Sequence, residues 1–263
     1  MHQSHLYSTR LQKGGALLEQ MRQLTLEWCD EPNYAATMLA ENPLALASKA
    51  RARDVVTRAF VPRFVKGQWP RLWKALAVLE SYAAGQENIV PIHYLATAVS
   101  EPLLQDFVCD YLYPRYNSSS GQLTVTTSDV ISFIESQPNE RFDSGNWTKT
   151  VQQKVGRGLL AALRDFGLLE GHQTKKVVPY RLNLISFAFI AFMLYQRYGS
   201  GNGVLSAREW KLFLFDTEIV ERFFFDAHDR NLLKYNAAGS TIRIEFPVDT
   251  LEDYAHVILQ RSA

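Results

Sequence analysis

The sequence predicts a mainly α-helical, multi-helical chain whose only β-structure is small hairpins in its second half. Three observations carry that prediction. Apolar residues recur at three- and four-residue spacing through most of the 263 positions, as in Leu17, Met21, Leu24 and Trp28. Ser, Thr, Asp and Pro open these runs, where helix caps and first turns belong. Alternation with a period of two is confined to short stretches, clearest in Thr241-Ile242-Arg243-Ile244-Glu245-Phe246.

The elements follow in order. Residues 14–28 form a first helix. Asp30-Glu31-Pro32 starts a short helix over 34–41, and Asn42-Pro43 ends it. Ser48 caps the next helix, which runs to about Val61 before Pro62 breaks or kinks it. Further helices are expected over 70–84, 93–100 and 103–113. The run PRYNSSSG (114–121) is polar and built from turn formers, which makes it the best linker in the chain. It divides the sequence into an N-terminal helical domain, 1–118, and a C-terminal one, 119–263.

The second half carries an apparent repeat. Its first copy is a helix over 129–136 behind a Ser128 cap, a long helix over 147–166, then Leu168-Leu169 and a small hairpin through Lys175 and Lys176. The second copy opens on Ser206-Ala207-Arg208-Glu209, read as a capping box for a helix to Phe215. A helix over 218–230 behind Thr217 and a hairpin at 232–246 complete it. Helix, helix, hairpin is the order of a winged helix-turn-helix unit, so two winged-helix-like units are expected.

Composition excludes several classes. At 47% hydrophobic and 21% charged residues the chain can build one or two cores, which rules out disorder. Two cysteines, Cys29 and Cys109, cannot make a disulfide scaffold. The most apolar run, LISFAFIAFMLY (184–195), rises about 18 Å as a helix against the ~30 Å of a bilayer core, so it is expected as a buried helix. With no signal-like N-terminus, a cytoplasmic protein away from membranes is expected.

No catalytic constellation can be written. The six histidines are scattered, and no phosphate loop, nucleophile elbow or zinc spacing occurs. The expectation is a protein that is not an enzyme and takes no cofactor or metal.

Charge distribution is more informative than the balance of 28 basic against 27 acidic residues. From Lys49 to Lys74 there are eight basic residues and one acid, Asp54. Ala52, Val56, Ala59 and Phe60 share one helical stripe, leaving Lys49, Arg51, Arg53, Arg58 and Arg63 for the surface. With the helix over 34–41 and a turn over 42–47, this is a helix-turn-helix candidate. On the helix over 147–166, Val151, Val155, Leu159, Ala162, Leu163 and Phe166 form the apolar stripe. Lys149, Gln153, Lys154, Arg157 and Arg164 gather opposite, with no carboxylate before Asp165. A solvated helix ordinarily mixes signs. Cations with an amide are instead what phosphates and base edges require, so this helix, with Lys175 and Lys176 on the following wing, is a candidate double-stranded DNA contact. Few amides line these faces, so sequence specificity is expected to be low. Neutralising about six phosphates would give a salt slope of about −5. The helix over 218–230 differs: Glu218, Glu221 and Asp229 would repel phosphate, and one of Phe223, Phe224 and Phe225, expected to be Phe225, must leave the core. That face favours protein contact, and a protein-interaction scaffold without nucleic-acid contact is the alternative reading. An RNA-binding factor is a third.

Four segments, SKARARDVVTRAFVPRF (48–64), EPLLQDFVCDYLYP (101–114), GLLAALRDFGLLEG (158–171) and AAGSTIRIEFP (237–247), together resemble the BrxA family, the small helical component of BREX phage-defence systems. The resemblance runs along nearly the whole chain. It implies a mainly helical fold with helix-turn-helix elements, binding of double-stranded DNA and no enzymatic activity. It further implies service beside the system's methyltransferase, ATPase and phosphatase-like components. It supplies no residue roles, so the contact residues above rest on helical geometry alone.

Overall fold

Residues 6–31, 34–41, 44, 46, 48–82, 89–119 and 122–262 are described by a computed structural model as a mainly α-helical chain with two small antiparallel sheets. A 3-10 turn, Arg10–Lys13, leads into α1 (Leu18–Glu27), α2 (Tyr34–Glu41) and α3 (Lys49–Arg53). Ser48 caps α3 as expected, its hydroxyl accepting from the Arg51 amide at 3.2 Å. Of the break or kink expected at Pro62, the break does not occur. The helix widens into a π-helical stretch, Asp54–Val65, that carries Pro62 inside it. A proline ring clashes with the carbonyl four residues back in an α-helix, and the wider π turn moves that carbonyl aside.

Then come α4 (Leu72–Tyr82), α5 (Val90–Ser100) and α6 (Pro102–Asp106), which passes through a second π stretch, Phe107–Leu112, into α7 (Tyr113–Ser118). Much of the expected linker is therefore helical. Pro114 sits in the first turn of α7, where its missing N–H costs nothing. Next are β1 (Thr124–Val125), α8 (Thr127–Glu135), α9 (Lys149–Asp165), β2 (Leu169–Glu170), β3 (Lys175–Val177), α10 (Leu184–Tyr198) and α11 (Gly201–Leu205). A 3-10 stretch, Arg208–Phe213, precedes α12 (Thr217–Asp229), β4 (Lys234–Ala238), β5 (Thr241–Glu245) and α13 (Leu251–Ser262).

The chain forms two compact units, each gathered from several segments. The first combines Met1–Leu17, Thr97–Arg181 and Arg208–Phe215, and the second Leu18–Ala96, Leu182–Ala207 and Asp216–Ala263. This division does not follow the expected 1–118 and 119–263, because the π-helical stretch Phe107–Leu112 packs with the 3-10 stretch Arg208–Phe213 a hundred residues away.

In the first unit α8 packs on α9, and the strands order as β1-β3-β2, with Leu169 opposite Val177 and Glu170 opposite Lys176. The α8 cap is Thr126, not Ser128. Thr126 and Asp129 form the capping box, the Asp129 carboxylate accepting from the Thr126 amide at 2.8 Å. A polar cluster at Asp106 ties the segments together. Its carboxylate accepts from Tyr7 Oη at 2.8 Å, from Arg208 at 3.0 Å and from Arg141. Arg208 reaches Asp110 as well, at 2.6 Å. Cys109 next door is buried, which pushes its thiol up to about 12 and leaves it chemically inert.

In the second unit α4 packs against α13 and α1, and α10 is buried continuously from Ile185 to Leu194 against α12 and α13. The apolar run is thus a core helix, capped by Asn183 and ended by Gly199 in the left-handed region (φ 68°). Among the described residues no helix is long and apolar enough to cross a membrane. The expected helix over 206–215 is instead the six-residue 3-10 stretch, and it belongs to the first unit. Arg208 is held there by Asp106 and Asp110, and Trp210 and Phe213 are buried. Besides α10, α11 packs with α12, and the Asn202 amide ties α11 to the β4–β5 hairpin at Ile242 N (2.9 Å) and Ser240 O (3.0 Å). Asp216, not Thr217, caps α12.

Candidate nucleic-acid interface

The helix α9 is built to hold one face inside and one outside. Thr148 caps it, accepting from the Val151 amide at 3.4 Å. Val155, Leu159, Leu160, Ala162 and Leu163 are buried, as are Gly156 and Gly158. Gly158 lies against the Leu11 carbonyl, where a β-carbon would overlap the oxygen and stand 2.7 Å from its carbon. Behind α9 therefore runs the N-terminal strap, its 3-10 turn locked to the helix.

On the outer face Lys149, Gln153, Lys154, Arg157 and Arg164 are all exposed, as the spacing predicts. Among the described residues Lys149, Lys154 and Arg157 have no carboxylate partner. Arg164 does: it pairs with Asp165 at 3.0 Å, and Asp165 also accepts from the Ala16 amide. Its charge is thereby partly neutralised inside the unit.

The two lysines expected on a wing divide between inside and outside. Lys175 is only 7% exposed, because β3 turns it inward and its ammonium donates to the His172 carbonyl. Burial, with Arg164 nearby, lowers its pKa from the usual lysine value. The exposed tip is Gly171, His172, Gln173 and Thr174, with Gly171 at φ +100° making the turn. Lys176 is exposed on β3, facing Glu170 across the ladder.

The other basic helix lies in the second unit and divides differently from the expectation. Lys49, Arg53 and Arg58 are exposed, and Arg51 is half-buried. Arg58 pairs with Asp54 one turn earlier at 3.5 Å. Arg63 is 4% exposed and so is no surface contact at all. It follows Val56 by seven and Ala59 by four, so a helix that continues past Pro62 carries it onto the buried side. Most of the expected turn over 42–47 falls outside the described residues.

Sequence reasoning missed the Asp106 cluster, whose one sign was a pair of acids, Asp106 and Asp110, inside an otherwise apolar run. It also missed the buried pairing of His93 Nε2 with Glu80 Oε1 at 2.9 Å, with Arg22 Nε on the same oxygen at 3.1 Å. On α12, Phe225 is the ring that leaves the core, 49% exposed, beside exposed Glu218, Arg222 and Asp229. Glu221 is bound by the Tyr235 hydroxyl at 2.8 Å. Among the described residues no group of His, Cys, Asp and Glu is placed to hold a metal ion.

No curated protein and no solved structure matches the chain. The model of the BrxA family matches residues 5–193, a span that takes in α9, β2 and β3, the buried Arg63 and most of α10. That match covers well over half of the sequence, and the chain therefore belongs to the BrxA family, a component of BREX phage-defence systems.

Proposed function

We propose that the protein is a non-catalytic component that binds double-stranded DNA for its defence system, with α9 entering the groove. In this reading α8, α9, β2 and β3 act as a winged helix-turn-helix, and the tip at 171–174 rides beside the groove. The observation that carries it is the outer face of α9: Lys149, Lys154 and Arg157 stand exposed around Gln153, with no acid among the described residues to neutralise them. Within the first unit, removing the buried Lys175 and discounting the paired Arg164 leaves Lys149, Lys154, Arg157 and Lys176 as cations for phosphate. Four phosphate contacts correspond to a slope of log K against log salt of about −3.6, shallower than six would give, and to weak binding at physiological salt.

The test is a duplex-retardation assay on Lys149→Glu combined with Arg157→Glu. Binding is abolished while the helical circular-dichroism signal is kept; unchanged retardation removes α9 from DNA contact.

A second reading rests on α12, where Phe225 is exposed among carboxylates that would repel phosphate. It makes the protein a scaffold for the methyltransferase, ATPase or phosphatase-like components. Co-purification with one of them that survives the α9 charge reversal, with no duplex binding by the unaltered protein, would favour the scaffold.

A further inference from the structure

Four exposed side chains of α9 divide by angle and by chemistry. Lys149 and Lys154 lie about 140° apart around the axis, and Gln153 and Arg157 fall between them, about 40° and 80° from Lys149. All four are exposed, in the N-terminal half of the helix, and free of protein partners among the described residues. In a groove the two outer lysines face opposite walls, where the phosphates are. The two central side chains face the floor, where the base edges are.

Gln153 is the residue that phosphate attraction does not explain. It is neutral, so it displaces no counterion, yet it occupies the middle of a cationic face. Its amide offers one acceptor and one donor side by side, the complement of adenine N6–H and N7. Arg157, one turn on, presents a planar fork that matches guanine O6 and N7. Four residues rise about 6 Å along α9, close to two base-pair steps of about 3.4 Å.

We infer that Gln153 and Arg157 are the specificity-determining residues of α9, reading one adenine and one guanine about two base-pair steps apart in the major groove, while Lys149 and Lys154 hold the flanking phosphates. This rests on the DNA-binding reading above. It adds a narrow preference to binding that is otherwise indifferent to sequence, since no second amide stands on the face.

The experiment is selection from a randomised duplex library with the full-length protein, followed by titration of the enriched duplex. The unaltered chain enriches an adenine and a guanine at that separation, each preferred by about tenfold over other bases. Gln153→Ala flattens the adenine position and leaves the guanine position in place. Arg157→Lys, which keeps the charge but loses the fork, flattens the guanine position and leaves the adenine one. Replacing the selected adenine by 7-deazaadenine weakens the unaltered protein and not Gln153→Ala. Flat enrichment by a chain that still binds duplex, or preferences that survive both substitutions, overturns the inference while the DNA-binding reading stands. Failure of that reading shows separately, as retardation that persists after Lys149→Glu with Arg157→Glu.

Discussion

Gly158 of α9 packs directly on the backbone carbonyl of Leu11, and no side chain can be placed between them. A helix interior ordinarily gains about 1 kcal/mol when glycine becomes alanine. Here the sign reverses. The added carbon would meet backbone, which cannot rotate away, so the strap and α9 must separate. Overpacking of this kind costs about 1–3 kcal/mol.

Gly158→Ala is therefore expected to lower the melting temperature by several degrees. Gly156→Ala, whose β-carbon would first meet the Thr127 and Val130 side chains, from 3.2 Å outward, serves as the internal comparison and loses less. A Gly158→Ala chain as stable as the parent would mean that residues 10–13 do not lie against α9.

The Asp106 cluster gives a second prediction. Asp106 is 8% exposed and receives Tyr7, Arg141 and Arg208. Asp106→Ala takes from Arg141 its carboxylate and leaves Arg208 with Asp110 alone. Breaking a wholly buried pair costs about 3–5 kcal/mol; both arginines here reach solvent through a third or more of their surface, so about 2 kcal/mol is expected. Chemical denaturation measures it. Arg208→Met should cost less than Asp106→Ala, since Arg141 and Tyr7 still satisfy the acid. The reverse order would place the keystone at Arg208.

Helical periodicity reveals which side of a segment is buried, and for α9 it located the outer face residue by residue. The Ser48 cap and the buried 184–195 run were legible for the same reason: each depends on residues close in sequence. Arg63 was hidden by one local rule. Pro62 forbids a regular α-helix, and only the π-helical widening lets the helix carry Arg63 inward. The two β3 lysines were hidden by register, since one residue's shift on a strand exchanges inside for outside and turned Lys175 in and Lys176 out. Arg208 illustrates what no local pattern contains: its partners stand about a hundred positions away, and they draw the 208–213 stretch out of the repeat that its sequence suggests.

His93 makes the stability pH-dependent with a definite sign. Burial holds its pKa below the ordinary 6.5, against the pull of Glu80, so it is neutral and donates from Nε2 to that carboxylate. Its Nδ1 is buried without a partner among the described residues. The unfolded chain accepts a proton as pH drops through about 6.5, and the folded chain resists it. Stability is therefore level above that pH and declines below it, by at most about 1.4 kcal/mol per pH unit from this group. Melting curves from pH 8 to pH 5 would show the decline, and His93→Gln should remove part of it. Equal slopes in the two proteins would mean that His93 titrates as freely folded as unfolded.

Adjacent lysines on β3 separate charge that serves binding from charge that serves the fold. Lys176 is exposed and unpaired among the described residues except for Glu170 opposite it, whereas the Lys175 ammonium is tied down on the His172 carbonyl. Lys176→Gln should reduce the slope of log K against log salt by about 0.9, the share of one phosphate contact. Lys175→Gln removes the same formal charge from the neighbouring position, yet it should leave that slope where it was. Its cost should fall on stability instead, about 1 kcal/mol for the lost hydrogen bond at the tip of the hairpin. Because both substitutions change the net charge equally, a general electrostatic attraction would shift the two slopes alike. Only a groove contact made by the outward side of β3 distinguishes them, and equal slopes would remove β3 from the proposed interface.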